Sequence, residues 1–230
     1  FTLHTAEMDY EMTQIREQYS MTPVEFLEHI GVLGPNTLTA HTIHATERDV
    51  EILAKHGASV AHCIASNTKA GKGVAPVSLM HKHGISVGFG TDGPASGNTL
   101  DLFIQMRMCE NFQKTTLHDR SALPAKEVVS MATIEGARAL GLGDVTGSIE
   151  PGKEADLVLI ETDSPNMFPV YDPYSAIVYS ASAANVRDVF VAGECLVKEK
   201  QLVRADFAKI RDELREKMER TKFGEMGNMV

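Results

Sequence analysis

Short apolar runs alternate along the first part of the chain with longer stretches whose apolar positions recur every three or four residues. The short runs predict strands over residues 1–4, 37–41, 58–62 and 85–89. Between them, Thr22-Pro23 opens a helix through Phe26, Leu27 and Ile30, with Pro in the first turn, where a missing N–H is harmless. Gly34-Pro35-Asn36 is a turn. Thr46 is placed to cap the next helix, Glu47 and Asp49 suit its dipole, Val50, Leu53 and Ala54 form its apolar stripe, and Gly57 ends it. A glycine-rich loop (Lys69-Ala70-Gly71-Lys72-Gly73) follows the third strand. Pro76 then starts a helix through Leu79 and Met80 that stops at Gly84, residues 99–112 form another, and Pro124 begins a pair running to Leu142.

Strands alternating with helices imply parallel βα units. Four such units are present, and a closed barrel of this kind needs eight. The expected fold class is therefore α/β: half of a (β/α)8 TIM-type barrel, with unpaired strand edges. The pattern changes after Gly143. Residues 147–153 are a turn cluster, residues 156–161 and 186–191 read as strands, and Ala192-Gly193-Glu194 turns the second into Cys195-Leu196-Val197. The expected organisation is a barrel half over 1–143, a small all-β segment over 144–204, and a C-terminal helix and tail over 205–230. The helix at residues 206–220 should bury Phe207, Ile210 and Leu214 as a stripe. Because the chain opens directly in a strand pattern without an initiator methionine, further sequence is expected ahead of Phe1.

Composition removes several functions. The 230 residues are 43% hydrophobic and 23% charged, enough for a large core. A net charge of -9 without any long Lys/Arg run argues against nucleic acid or a membrane surface as partner. The apolar runs are too short and too often broken by Gly to span a bilayer. No basic leader with an apolar region opens the chain, and Cys63, Cys109 and Cys195 lack metal-type spacing. They read as reduced thiols of a cytoplasmic protein.

Three of the four strands end in His (His4, His41, His62), and the fourth ends in Thr91-Asp92. Parallel strands of one barrel point the same way, so these groups should converge at one mouth, where barrel active sites lie. His and carboxylate are ligands for Zn²⁺ or Fe²⁺. Glu7, three residues past His4, can turn into the same mouth and hold or deliver a proton. Asp92 can bind a metal and also accept a proton from water activated there. Plainer readings stand beside these: a buried structural His for His4, a helix-entry charge for Glu7, a Thr-Asp-Gly turn for Asp92. His44 rivals His41 but lies outside the strand, near the helix cap, and is expected to face solvent. Lys69 and Lys72 suggest a phosphate loop, but their spacing is not that of a Walker motif. Met106, Met108 and Met131 read as core filler.

The stretches Leu3-His4-Thr5-Ala6-Glu7, Ala40-His41, Ser66-Asn67, Gly90-Thr91-Asp92-Gly93-Pro94-Ala95-Ser96 and Gly147-Ser148-Ile149-Glu150-Pro151-Gly152-Lys153-Glu154-Ala155-Asp156-Leu157-Val158 resemble the amidohydrolase superfamily. The likeness is to its branch of 5-methylthioadenosine/S-adenosylhomocysteine deaminases, guanine deaminases and triazine chlorohydrolases. The resemblance implies strands 5–8 of the metal-dependent barrel plus part of the family's small β-sandwich. It implies His4 and Asp92 as metal ligands, Glu7 as the proton shuttle to a ring nitrogen, and His41 facing the activated water or the substrate. Ser96 is implied as a substrate contact, with His62 and Asn67 supporting the ligands from behind. The cofactor would be Zn, with Fe as the alternative.

The family takes two further ligands from a His-x-His on strand 1, and none precedes His4. His81-Lys82-His83 has that spacing but falls late in a helix, where an exposed pairing with the helix dipole is expected. The implied activity is hydrolytic removal of an amino group from a purine-like heterocycle. The alternatives are a triazine chlorohydrolase or aminohydrolase, or a catalytically silent half-barrel that acts as an interaction partner. The implied partners are a small heterocyclic substrate and either the missing N-terminal half or another copy, in a homo-oligomer.

Overall fold

The computed structural model describes residues 1–220. It runs β1 (Thr2–Thr5), α1 (Asp9–Tyr19), α2 (Pro23–His29), β2 (Leu38–His41), α3 (Glu47–His56), β3 (Ser59–His62), α4 (Ile64–Lys69), α5 (Val77–Lys82), β4 (Val87–Phe89), α6 (Pro94–Gly97), α7 (Leu102–Leu117), α8 (Ala125–Met131) and α9 (Ile134–Ala139). There follow β5 (Leu157–Ile160), α10 (Pro173–Ser175), β6 (Val186–Val191), β7 (Glu194–Lys198), β8 (Gln201–Leu202) and α11 (Phe207–Arg220). The chain divides into two compact units. One is Phe1–Glu154 with Glu161–Asn185; the other is Ala155–Ile160 with the described residues 186–220.

In the first unit the helix starts form as the sequence predicts. Thr22 Oγ1 accepts from Glu25 N–H at 3.1 Å while Glu25 accepts from Thr22 N–H at 2.9 Å, a reciprocal cap for α2. Thr46 and Asp49 repeat the arrangement at α3, which ends on Gly57 at φ 67°. Asp49 does more than suit the dipole. It is fully buried and also accepts from Thr46 Oγ1 and Thr22 Oγ1, which ties the starts of α2 and α3 together.

The four strands of this unit are parallel in the order β1-β2-β3-β4. Among the described residues the sheet is open, with β1 and β4 each paired on one side. Register places Thr5 beside His41 and His62 beside Phe89, so the strand ends lie level. Val50, Leu53, Val60, Ile64, Val77, Met80, Val87, Val128 and Met131 fill the core, each contributing roughly 1.5–3 kcal/mol of apolar burial. The α9 helix sits close on β4 because Gly88 meets Gly136: a Cβ at 88 would lie 3.0 Å from the Gly136 Cα.

Several local expectations change. The α1 helix was not anticipated from the pattern; none of its residues is fully buried, and Met12 and Ile15 are half-buried on one face. The α4 helix was hidden because two of its buried positions are Ser66 and Asn67. His81 is not an exposed cap. Its Nε2 lies 3.0 Å from Glu135 and its Nδ1 3.7 Å from Glu127, joining α5 to α8 and α9, and its side chain is only 13% exposed. Burial opposes the charged imidazolium, but the two carboxylates outweigh it and raise the His81 pKa.

The second unit is an antiparallel sheet, β5-β6-β7-β8, with β6 and β7 joined through Ala192 and Gly193, both at positive φ, as a tight hairpin requires. The stripe expected to be buried on the C-terminal helix is not. Phe207, Ile210 and Leu214 are 66%, 50% and 56% exposed, because no described element packs on that face. Residues 221–230 of the expected tail lie outside the described residues. Among the described residues no helix is long and apolar enough to cross a membrane.

Candidate functional site at the strand ends

The chain leaves β1 through Ala6, in the left-handed region at φ 49°. Two successive N–H groups, of Ala6 and Glu7, donate to the Glu11 carboxylate at 2.9 Å each, so the first turn of α1 fixes the direction in which Glu7 departs. β2 ends on His41 and Thr42 at φ 68° and 51°, and Asp92, beyond β4, stands at φ 58°. Non-glycine residues in this region cost about 1–2 kcal/mol each. Such strain clusters at functional sites.

These turns bring His4, Glu7 and His41 together, with one ligand atom of each within 4.8 Å of the others. His4 Nδ1 is 3.7 Å from Glu7 Oε2, and His41 Nε2 is 3.7 Å from Glu7 Oε1. The His4 and His41 rings meet edge to face at 4.9 Å between centroids. Lys72 Nζ reaches Glu7 Oε1 at 2.5 Å. Burial is graded across the group: the His41 side chain is 2% exposed, that of Glu7 14% and that of His4 70%.

Asn67 orients the imidazole of His41. Its Oδ1 lies 2.8 Å from His41 Nδ1, and a carbonyl oxygen can only accept, so Nδ1 donates. Nε2, at the other side of the ring, faces Glu7. This second hydrogen bond is the device that orients metal-binding or proton-handling imidazoles.

Asp92 stands outside the group of three. Its Oδ2 accepts from Ser66 Oγ at 2.7 Å and its Oδ1 from Gly93 N–H at 2.7 Å. The Ser66 hydrogen bond, against a penalty from burial and with help from Gly93, the charge of His41 and the Ser96 side chain, holds its pKa below the ordinary carboxylate value. Asp92 therefore stays ionised. Ser96 is exposed on α6, and its carbonyl accepts from Lys69 at 2.9 Å.

His62 is fully buried, and neither ring nitrogen has a hydrogen-bond partner among the described residues. Burial, with the nearby charge of His41, pushes its pKa down to about 3, so it is neutral. Burial, reinforced by Asp92, pushes the Cys63 thiol up to about 11, which keeps it unreactive. His44 is 25% exposed and lies 3.5 Å from Asp9, away from the group of three.

N and O donors of this kind, within reach of one another, suit a zinc ion, whose bonds to them are about 2.0–2.2 Å long. The sequence model of the amidohydrolase family matches residues 1–196. The chain belongs to the amidohydrolase family. As an amidohydrolase it is 43% identical over 208 residues to a 5-methylthioadenosine/S-adenosylhomocysteine deaminase of Desulfitobacterium hafniense, a match covering 90% of this chain and 48% of that protein. It is 42% identical over 200 residues to a 5'-deoxyadenosine deaminase of Methanothermobacter thermautotrophicus, covering 87% and 46%. Its fold superimposes with a TM-score of 0.92 on a zinc-bound adenosine deaminase of Xanthomonas campestris, at 34% identity, covering 95% of this chain and 50% of that one. The chain thus spans about half the length of the curated relatives it matches.

Sequence reasoning gave Lys72 and Lys69 no place in the site of this amidohydrolase, and named Ser66 only within the Ser66-Asn67 stretch, without its bond to Asp92. The two lysines were weighed only as a phosphate loop. Neither contact is local: Lys72 and Glu7 are 65 residues apart, and no spacing rule links them.

Proposed function

We propose that the whole protein is a zinc-dependent hydrolytic deaminase of adenosine-like compounds. In this reading residues 1–143 supply strands 5–8 of its barrel, residues 144–204 part of a small β-sandwich, and residues 205–230 a terminal helix and tail. The rest of the barrel comes from a further segment or another copy, and the protein works in the cytoplasm as a homo-oligomer. The observation that carries the reading is the meeting of Glu7 with His4 and His41 at level strand ends, beside an ionised Asp92. Relatives named as deaminases of 5-methylthioadenosine, S-adenosylhomocysteine and 5'-deoxyadenosine support the substrate class.

His4 and Asp92 would hold the zinc. His4 is free on its exposed side, and Asp92 has lone pairs beyond the two hydrogen bonds it accepts. When bound, zinc supplies the acidity that makes water a nucleophile near neutral pH. Asp92 takes a proton from the attacking water. Glu7 delivers a proton to the ring nitrogen next to the attacked carbon, which lets that carbon accept the new C–O bond. His41, held by Asn67, hydrogen-bonds the tetrahedral centre. Asp92 then passes its proton to the amino nitrogen, the C–N bond breaks, ammonia leaves, and the remaining hydroxyl gives its proton to Glu7 as the ring C=O forms, which restores both carboxyl groups.

The test is the intact protein loaded with zinc and offered 5'-methylthioadenosine, S-adenosylhomocysteine and 5'-deoxyadenosine, with ammonia release as the readout. Release from at least one, at a rate that falls on chelation, is expected. No ammonia from any of them, with zinc bound, overturns the reading.

A further inference from the structure

One short segment touches Asp92, His41, Glu7 and the turn that carries Ser96. From Ser66, Oγ donates to Asp92 Oδ2 at 2.7 Å. Asn67 Oδ1 accepts from His41 at 2.8 Å. Lys69 Nζ donates to Ser96 O at 2.9 Å, to Ala95 O at 3.5 Å and to Asn98 Oδ1, gripping the turn after Asp92. Lys72 Nζ donates to Glu7 Oε1 at 2.5 Å. Four of the seven residues 66–72 thus reach groups on β2 and on the loops after β1 and β4.

The segment can act as a frame because it is itself fixed. Ile64, Ala65, Ser66 and Asn67 are buried. Gln105 of α7, fully buried, accepts from Ala65 N–H at 3.1 Å and so holds the start of α4. The far end closes on itself, with Lys72 N–H donating to Asn67 O at 2.9 Å. The turn after Asp92 meets it at Gly97, where a Cβ would lie in ordinary contact, 3.8 Å from Ser66 N.

The two lysines do different things there. Glu7 has three neighbours, but the two histidines stand at 3.7 Å, beyond hydrogen-bond length. The ammonium of Lys72 is the group that sets which way the carboxylate faces. Lys69 touches no candidate acid, base or ligand. It satisfies two carbonyls and an amide oxygen of the 95–98 turn, which carries Ser96.

We propose that residues 66–72 form the positioning frame of the site, with Lys72 as the positioning residue for Glu7 and Lys69 as the positioning residue for the Ser96 turn. This rests on the deaminase reading for its kinetic consequences. Lys72 then governs the proton-delivering group and Lys69 the substrate contact, so their losses separate into different kinetic constants. A misplacement of about 1 Å at a reacting group is worth on the order of 100-fold in rate.

The experiment compares Lys72→Met, Lys72→Arg and Lys69→Met in the intact zinc-loaded protein by steady-state kinetics, melting temperature and crystal structure. Lys72→Met should lower kcat by about 10–100-fold with KM within about threefold, and Lys72→Arg should recover most of that loss. Lys69→Met should raise KM by about 10-fold with kcat within about threefold. Melting temperatures should stay close to that of the parent, because partly exposed ion pairs contribute little stability. Kinetic constants unchanged in both variants, or kcat and KM impaired alike in both with a lowered melting temperature, would overturn the proposal. If the parent releases no ammonia, the deaminase reading fails, and the crystal structures still decide the frame. Glu7 should swing away in Lys72→Met and the 95–98 turn should shift in Lys69→Met; both staying in place overturns it.

Discussion

Replacing Asn67 by leucine removes the acceptor that fixes His41 while nearly keeping the volume. Both side chains are sealed from water, His41 at 1% exposure and Asn67 at 0%, so no solvent molecule replaces the lost bond. A buried N–H left unpaired costs roughly 1–3 kcal/mol. Part of this is offset, because Asn67 Nδ2 has no hydrogen-bond partner among the described residues and the substitution removes that buried donor as well. The net loss of stability should therefore sit near the low end, about 1 kcal/mol. Function should suffer more. Without the acceptor, nothing holds the plane of the His41 imidazole, so Nε2 loses its fixed aim toward Glu7. Loss of such an orienting partner typically reduces metal affinity or activity by about 10–100-fold. Urea unfolding and turnover of the intact protein measure the two effects separately. Asn67→Asp is the control, since a carboxylate also accepts from Nδ1–H and should preserve more activity than leucine does. Turnover by Asn67→Leu within threefold of the parent, or Asp and Leu variants equally impaired, would refute the orienting role of Asn67.

Glu7→Gln in the intact protein should lower kcat by about 10²–10⁴-fold while zinc content by elemental analysis stays unchanged; loss of zinc would instead make Glu7 a ligand. His81 has a raised pKa, so its contribution to stability is full below the ordinary histidine value of 6.5 and is lost as pH rises through the raised one. Its partner Glu135 has a lowered pKa despite burial, so that carboxylate contributes above 4.5 and its share is lost as pH falls through the lowered value. The urea midpoint gap between parent and His81→Gln should thus be widest between those values and shrink toward alkaline pH; a gap that widens above neutrality contradicts the pairing. The 230 residues alone, with β1 and β4 each paired on one side in the described sheet, should self-associate through those edges, and sedimentation as a compact monomer with one cooperative unfolding transition would refute this.

The elements that could be read in advance share a physical trait. Their signals are local. Thr22-Pro23 and Thr46 start helices through bonds to residues three positions away, and Gly57 stops one through its own φ. The strands ending at His41 and His62 are short apolar runs that stop at a polar residue. The convergence of His4, Glu7 and His41 was legible because parallel strands must finish on one side. What escaped depends on distant parts of the chain. The α1 helix has only a half-buried face, and α4 buries Ser66 and Asn67 on account of Asp92 and His41. Lys72 could be placed only by a contact across 65 residues. The α11 helix shows the converse: Phe207, Ile210 and Leu214 are spaced for burial yet stay exposed, since periodicity reports what a helix could bury and not what covers it.

The left-handed residues at the strand ends bear on how this site can be altered. Ala6, His41, Thr42 and Asp92 turn the chain where the strands stop, so the aim of Glu7 and of the groups around it is written partly in the backbone. A mutagenesis library at Thr42 should therefore not behave like one at an ordinary loop position. Gly, Asn and Asp fit positive φ with least strain, and the β-branched Val and Ile fit worst. Functional clones should be enriched in the first set whatever substrate is selected for. Directed change of specificity should accordingly start from side chains such as Ser96, which sits outside these strained positions, and leave the turning residues as they are.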